Sequence, residues 1–254
     1  MSASKIEWTD ATWNPVTGCT KISSGCLHCY AEIMARRLCA MRVDKYRNGF
    51  HVTLHEDCLD EPLAWKKPKT IFVCSMSDLF HKDVPFEFID KVFSVIKRTP
   101  HHRYQILTKR ADRMAEYFIN RTVPTNAWLG VTVDVSSSKP RIDALRSIQG
   151  APIRFLSCEP LLEDLGPLNL ERIDWIIVGG ESGTQARPMK EEWVLNIKTQ
   201  VELSGKAFFF KQWGTWGCDG IKRNKHKNGK TLQGAICQTM PAVLYQQQCL
   251  NKRY

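Results

Sequence analysis

The sequence has no long apolar runs, which argues against a membrane-spanning protein. No stretch approaches the roughly 20 apolar residues that a spanning helix needs. The opening segment, MSASKIEWTDATWNP, also lacks the apolar stretch of a secretory signal. We therefore expect a soluble, cytoplasmic protein with no membrane partner.

Internal repeats and low-complexity tracts are also missing, which argues against solenoids and disordered chains. The 254 residues are 43% hydrophobic, which is enough for one sizeable core. Only the segment after Gly214 changes character, because it is rich in Gly, Lys, Asn and Gln and has weak periodicity. We predict one structural unit, with a barrel over residues 1–214 and a C-terminal cap over residues 215–254.

Acidic residues are in the minority, with 26 Asp and Glu against 36 Lys and Arg, and the net charge is +10. A basic balance suggests a polyanionic partner, so we favour a nucleotide or nucleic acid. Part of the charge lies in one basic run, Lys222–Lys230. This run is either a solvated loop or an arm that contacts phosphates.

The ten cysteines do not indicate a disulfide framework in a chain without a secretory signal. Seven are scattered and are best explained as small buried hydrophobic residues. Cys19, Cys26 and Cys29 form a separate group with the spacing C-x6-C-x2-C. Gly18 and Gly25 allow this loop to fold closely, and a helix is predicted straight after Cys29.

Short β-rich runs alternate with helical patterns along the chain. The predicted strands are Thr70–Cys74, Arg103–Leu107, Ala127–Val133, Ile153–Ser157, Asp174–Val178 and Lys206–Phe210. The predicted helices are Ala31–Met41, Phe86–Arg98, Arg110–Asn120, Lys139–Ile148 and Met189–Leu203. Continuous apolar strands alternating with helices indicate a parallel sheet. We predict an α/β fold, a full or partial (β/α) barrel, with the doubly wound sheet as the alternative.

Three thiolates on one tight loop suit a [4Fe–4S] cluster, in which each binds one iron. The fourth iron then has no protein ligand and is free to bind a small molecule. Zinc is the alternative, but a closed zinc site needs four ligands. His28, His51 and His55 are the candidates for the fourth.

The cysteine loop, ending in C-x2-C-Tyr and followed by βα repeats, resembles that of radical S-adenosylmethionine (SAM) enzymes. The first gap is three residues longer than the commonest spacing of that superfamily, C-x3-C-x2-C. The wider pattern resembles the phage-associated three-cysteine-motif family. The segments that carry this resemblance are Trp13–Cys19, Ser75–Phe80, Gln105–Lys109, Gly130–Val133, Phe155–Pro160, Gly179–Gly183 and Phe210–Gly214.

These segments lie at or just after the carboxyl ends of predicted strands, where sites form in parallel α/β folds. Ser75, Ser77 and Asp78 suit the amino and carboxylate groups of a bound amino acid, or they cap the next helix. Lys109 either pairs with the cofactor carboxylate or points to solvent. Thr132 belongs to the same predicted edge, followed by Asp134, which suits ribose hydroxyls.

The later strand ends carry the remaining candidates. Glu159 suits a ribose, the methionyl amine or the substrate. Its neighbour Cys158 is either a hydrogen-atom donor or an inert buried thiol.

Gly179, Gly180 and Glu181 resemble the glycine-glycine-glutamate element that contacts the methionyl amine in radical enzymes, although here the element follows a later strand. Arg187 suits Glu181 or a phosphate. Lys211, Gln212 and Trp213 form either a base-binding surface or, for the tryptophan, a plug that closes the barrel end.

The resemblance implies an enzyme with a [4Fe–4S] cluster and SAM as cofactors. Reductive cleavage of SAM would yield a 5′-deoxyadenosyl radical that acts on a nucleobase, nucleotide or nucleic acid, in modification or repair. This chemistry requires an external electron donor. Two alternatives remain open: a non-catalytic nucleic-acid-binding protein with structural zinc or iron–sulfur, and a subunit that works with a separate partner protein.

Overall fold

The computed structural model describes residues 6–242, so the last part of the predicted cap, residues 243–254, lies outside the described residues. Eleven strands are present within residues 6–242: β1 (Ala11–Trp13), β2 (Val16–Thr17), β3 (Thr53–Leu54), β4 (Thr70–Val73), β5 (Arg103–Thr108), β6 (Ala127–Thr132), β7 (Arg154–Cys158), β8 (Trp175–Gly179), β9 (Ala207–Gln212), β10 (Thr231–Leu232) and β11 (Ala235–Ile236).

The helices in the same range are α1 (Tyr30–Ala40), α2 (Phe86–Arg98), α3 (Ala111–Tyr117), α4 (Pro140–Ser147), α5 (Glu191–Leu203) and α6 (Lys225–Asn228). Short 3-10 segments cover Ser24–Cys26, Asp44–Tyr46, Glu56–Cys58, Glu61–Ala64 and Ser136–Ser138. None of the helices within residues 6–242 is both long and apolar enough to cross a membrane.

Seven parallel strands form the main sheet in the order β1-β4-β5-β6-β7-β8-β9. Each predicted strand corresponds to one of them, so the predicted α/β fold with parallel strands is confirmed. The predicted helices are also present, with bounds that differ by at most a few residues. Strand β1, at one edge of the sheet, is an addition to the prediction.

The sheet is curled into a half-barrel. The Trp8 ring lies 4.7 Å from Phe72 on β4 and 6.2 Å from Trp175 on β8. A flat sheet would hold β4 and β8, four strand spacings apart, about 19 Å from each other. Aromatic rings therefore fill part of the concave face, and Trp128 and Phe155 belong to the same cluster.

The helices cover the convex face of the sheet. Their apolar stripes pack on the second side of each strand, which explains why the strands are apolar on both faces. In α2, for example, Ile89, Val92 and Ile96 are fully buried. Such a core leaves the carboxyl ends of the strands as the place where polar side chains gather.

The described part of the cap covers the β9 edge of the sheet. The Phe210 amide donates to the Cys237 carbonyl at 2.7 Å, and the Thr239 amide donates to the Phe208 carbonyl at 2.9 Å. A covered edge strand cannot pair with another chain.

Candidate active site

The segment from Gly18 to Cys29, here called the cysteine loop, is attached at its start to the segment that follows β4. The Gly18 amide donates to the Met76 carbonyl, and the Cys19 amide donates to the Phe50 carbonyl, each at 3.1 Å. Gly18 has a φ of +81°, and a Cβ there would lie 2.2 Å from the His51 carbonyl oxygen. Only glycine fits this turn.

Arg110, just after β5, holds the first part of the cysteine loop. Its guanidinium donates to Cys19 Sγ at 3.5 Å and to the Thr20 carbonyl at 3.0 Å. Asp78 orients the guanidinium from 2.9 Å and also accepts the Thr108 hydroxyl at 2.7 Å. Asp78 therefore acts on the loop through Arg110.

Asp134, just after β6, holds the middle of the loop. Its Oδ2 accepts the Ser23 hydroxyl at 2.6 Å, the Gly25 amide at 3.0 Å and Lys109 Nζ at 3.0 Å. The Ser138 hydroxyl donates to Oδ1 at 2.7 Å. Burial alone would raise the pKa of Asp134, but Lys109 and the two hydroxyl donors hold it well below its usual range.

Glu181, beyond β8, holds the end of the loop together with Arg187. Arg187 donates to both Glu181 oxygens, at 2.6 and 2.9 Å, and its backbone amide adds a third bond at 2.8 Å. His28 Nδ1 lies 3.3 Å from Glu181, and Arg187 reaches the Ser24 carbonyl at 3.0 Å. Burial opposes ionisation, yet Arg187 lowers the pKa of Glu181.

Several side chains that were predicted to contact a cofactor thus contact the cysteine loop or each other. Asp78 and Glu181 have their carboxylates occupied by arginines, and Lys109 pairs with Asp134. Arg187 is paired with Glu181.

The two serines after β4 also make protein contacts. Ser75 Oγ donates to Asn14 Oδ1 at 3.1 Å, and Ser77 Oγ donates to the Val16 carbonyl at 2.7 Å. The next helix begins only at Phe86, so neither serine caps it. These bonds fix the ends of β1 and β4 to each other and to the loop.

The environments of two thiols in the loop differ. Burial and the charge of Asp78 raise the pKa of Cys19 to about 11, against the lowering effect of Arg110. Burial also acts on Cys26, but backbone hydrogen bonds and the charge of Lys109 outweigh it and lower the pKa of that thiol. Positive groups therefore lie where thiolate ligands would form.

The donor set fits an iron–sulfur cluster. Cys19, Cys26 and Cys29 are free thiols, each partly accessible, on one loop. A Cβ at Gly25 would lie 2.1 Å from Asp134 Oδ2, so the loop folds closely there. Within residues 6–242 no three His, Cys, Asp or Glu side chains are grouped to hold a single ion. A [4Fe–4S] cluster binds each thiolate through a different iron and does not require such a group.

Two of the three histidines considered as a fourth zinc ligand have other side-chain contacts. His28 lies against Glu181, as described above, and His55 Nε2 lies 2.8 Å from the Thr17 hydroxyl. His51 lines an open cleft of about 540 Å³ beside Cys19.

A second set of polar side chains lies at the ends of β7 and β9. Lys211 Nζ is 2.8 Å from Glu159 Oε1, and the Ser157 hydroxyl donates to Oε2 at 3.0 Å. Gln212 donates to the Gly180 carbonyl at 3.2 Å, while its buried Oε1 has no hydrogen-bond partner in the described structure. Thr132 ends β6, next to β7. An unpartnered buried acceptor is what a ligand N–H or O–H would satisfy.

Tyr30 also lies at the carboxyl edge of the sheet, beside the end of β4, although the sequence pattern did not indicate it. It directly follows Cys29, its side chain is largely exposed, and its hydroxyl donates to the Ser75 carbonyl. Arg110 was missed as well, although it follows Lys109 at a strand end.

The prediction of Cys158 as a hydrogen-atom donor is not supported by its position. Side chains alternate along β7, so Ser157 and Glu159 share one face and Cys158 lies on the other. Cys158 is fully buried in the core that faces the helices, and burial raises the pKa of its thiol. Its place agrees with the alternative, a buried thiol.

Gly179, Gly180 and Trp213 pack the last strands together. A Cβ at Gly180 would lie 1.9 Å from the Trp213 carbonyl oxygen, and one at Gly179 would lie 3.0 Å from Glu159 Oε1. The Trp213 indole is buried and donates to the Thr231 carbonyl at 2.8 Å. This placement agrees with the alternative role of closing the barrel end, because a stacking surface would have to be exposed.

Comparisons with known proteins give a family and a set of similar structures. Spore photoproduct lyase complexed with dinucleoside spore photoproduct matches at 12% identity and a TM-score of 0.47, over 79% of this chain and 63% of the lyase chain. A mutant of that lyase with bound AdoMet and dinucleoside spore photoproduct matches at 12% identity over the same shares, with a TM-score of 0.46. This chain thus spans less than two thirds of the lyase's length.

No curated protein matches the chain. A family described as "protein of unknown function (DUF5131)" matches residues 3–241. That match covers almost the whole sequence, so the chain belongs to the DUF5131 family.

Proposed function

We propose that this protein is a radical SAM enzyme with a nucleotide or nucleic-acid substrate. One observation carries the proposal: a loop with three free cysteines lies across the carboxyl ends of a parallel half-barrel, held by Arg110, Asp134 and Glu181. Parallel α/β folds form their sites at this edge.

In this proposal Cys19, Cys26 and Cys29 hold a [4Fe–4S] cluster. The cluster would supply the electron for reductive cleavage of SAM to a 5′-deoxyadenosyl radical. Lys109 contributes to the lowered pKa of Cys26, and Arg110 partly opposes the rise in the pKa of Cys19, so both cations favour an anionic cluster.

The second set of polar side chains is the proposed SAM-binding surface. Glu159, held in place by Lys211 and Ser157, offers a carboxylate for the methionyl amine or the ribose. Gln212 Oε1 offers an unused acceptor, and Thr132 adds a hydroxyl on the neighbouring strand. We assign Asp78, Glu181 and Lys109 to holding the loop.

The test is anaerobic reconstitution with iron and sulfide, followed by incubation with dithionite and SAM. We expect iron and sulfide to bind to the chain and 5′-deoxyadenosine to form, measured by chromatography with mass detection. Cys29→Ala removes one cluster ligand and should abolish the product. Cys218→Ala is the matched control, because Cys218 is an exposed cysteine of the cap.

A wild-type chain that makes no more 5′-deoxyadenosine than Cys29→Ala would overturn the proposal. Stoichiometric zinc without iron in the purified protein would instead favour the non-catalytic metal-containing nucleic-acid-binding protein.

A further inference from the structure

The cap packs directly on the loop that carries Glu181. The Thr215 amide donates to the Glu181 carbonyl at 2.9 Å, and the Trp216 indole donates to the Ala186 carbonyl at 2.6 Å. Lys222 Nζ donates to the Thr184 carbonyl at 2.5 Å. Residues 181–187 therefore contact the cap, and Glu181 and Arg187 in the same segment contact the cysteine loop. This places the basic run of the cap beside the cysteine loop.

Part of the positive charge in this run is not neutralised. Arg223 is paired with Asp219 at 2.6 Å, but within residues 6–242 no carboxylate pairs with Lys222, Lys225 or Lys227. The three lysines are exposed. The segment from 222 to 230 contains no Asp or Glu.

A second group of cations lies across a cavity from residues 182–185, with Lys21 in the cysteine loop and Arg36 on α1. Lys21 and Arg36 share Glu32, at 3.0 and 2.6 Å, so two positive charges meet one negative charge. The cavity, of about 210 Å³, lies between this group and residues 182–185, and Cys29 contributes to its lining. Positive side chains thus lie on both sides of the loop at 182–185.

We propose that these two groups of cations form a track for the phosphate backbone of a nucleic-acid strand, which would bring the strand to the edge of the half-barrel beside the cysteine loop. That the bound strand is a substrate rests on the proposed function, but binding of the strand to the track does not. Trp216, half-buried with Lys222 Nζ 5.7 Å from its ring centre, adds an aromatic surface of the kind that single strands stack on.

A polymer is the ligand that fits, because the lysines are spread along the cap and the second group lies beyond the loop at 182–185. Successive phosphates of one strand would contact the cap lysines and the second group in turn. Each contact would release condensed counterions, so binding should weaken steeply as salt rises.

The test is fluorescence anisotropy of the reconstituted protein with labelled single-stranded DNA, duplex DNA and RNA over a range of KCl concentrations. The triple variant Lys222→Ala, Lys225→Ala and Lys227→Ala should bind at least tenfold more weakly near 0.1 M salt. Its log–log salt dependence should be shallower by about 2–3 for a loss of three phosphate contacts. Lys225→Glu with Lys227→Glu should weaken binding further.

The matched control removes the same charge at the opposite end of the sheet, through Lys66→Ala, Lys67→Ala and Lys97→Ala. These exposed lysines lie near the amino ends of β4 and β5, and binding should stay within twofold of the wild type. Equal losses in both triple variants, or no loss in the cap variant, would overturn the track. Comparison of the three affinities shows whether single-stranded DNA, duplex DNA or RNA binds most tightly.

Neither SAM nor a reductant enters this measurement. A chain that makes no 5′-deoxyadenosine but binds through the cap would refute the proposed function and leave the track in place. A chain that makes 5′-deoxyadenosine but binds nucleic acid equally well without the cap lysines would support the proposed function and refute the track.

Discussion

Replacing Asp134 with asparagine should loosen the middle of the cysteine loop. The carboxylate accepts Ser23, Gly25 and Lys109 on one oxygen, and Ser138 and Arg141 on the other. An asparagine has nearly the same shape and can keep its carbonyl oxygen towards the three donors. The substitution therefore removes the charge while leaving most of the hydrogen-bond geometry intact.

The size of the effect follows from the three donors. A hydrogen bond to a charged group contributes about 1.5–3 kcal/mol, and one between neutral groups about 0.5–1.5 kcal/mol. A loss of about 1 kcal/mol for each donor gives about 3 kcal/mol in the free energy of unfolding. For a chain of this size that corresponds to a decrease of about 6–12 °C in Tm.

The assay is urea unfolding of the cluster-free protein at pH 7, with alkylation of each cysteine followed by peptide mass spectrometry. Cys26 should react faster in Asp134→Asn, while the buried Cys158 should not. The control is Asp143→Asn, because Asp143 pairs with Arg146 on the exposed surface and such pairs contribute about 1 kcal/mol or less. Equal unfolding free energies and equal Cys26 reactivity in the two variants would refute the reasoning.

The double variant with Lys109→Met tests the same pair from the other side. Removal of Asp134's charge alone leaves Lys109 largely buried without its anion. The double variant should therefore lose less stability than the sum of the single variants, by about 1–3 kcal/mol. Strict additivity would show that the two side chains do not interact.

Three further predictions concern pH, the buried thiol and the strand-end glycines. The pKa of Asp134 is lower in the folded chain than its ordinary 3.8. The stabilisation of the fold by the Asp134 carboxylate is therefore complete above pH 3.8 and is lost as the pH falls below it. Urea unfolding between about pH 5 and 2.5 should show a steeper loss of unfolding free energy for the wild type than for Asp134→Asn. Cys158→Ala should keep 5′-deoxyadenosine formation in the reconstituted enzyme and lower the unfolding free energy by about 1 kcal/mol, as expected for a small core truncation. Gly180→Ala places a Cβ 1.9 Å from the backbone carbonyl oxygen of Trp213 and should lower the unfolding free energy by about 1–3 kcal/mol. A Cβ at Gly179 comes no closer than 3.0 Å to another atom, the side-chain oxygen Glu159 Oε1, so Gly179→Ala should cost less.

The sheet could be predicted from the sequence because strands buried on both faces are continuous apolar runs. Strand β1 was missed because it has only three residues, Ala11–Trp13, too few for a pattern. The alternation along β7 was available from the sequence, and it would have separated Cys158 from Ser157 and Glu159.

The contacts of the cysteine loop could not be predicted in the same way. Asp134 bonds Ser23 across 111 positions of the chain, and Arg187 bonds Ser24 across 163. Strand-end acids were identified by their place in the fold, but their partners depend on how far the half-barrel curls and where the loop crosses it. The sequence pattern contains neither quantity, so the acids were assigned to the cofactor.

The contacts of the strand-end acids with cations and with the cysteine loop affect how the loop could accept an anionic cluster. Asp78 and Glu181, like Asp134, place negative charge near three thiols and would by themselves oppose thiolate formation. Each is paired with a cation, Arg110 for Asp78 and Arg187 for Glu181, as Lys109 is for Asp134. Arg110 also donates to Cys19 Sγ. The acids thus hold cations in fixed positions beside the loop, which makes these strand ends a support for the cysteines; in the proposed function, Glu159 and Gln212 are the groups left to bind a ligand.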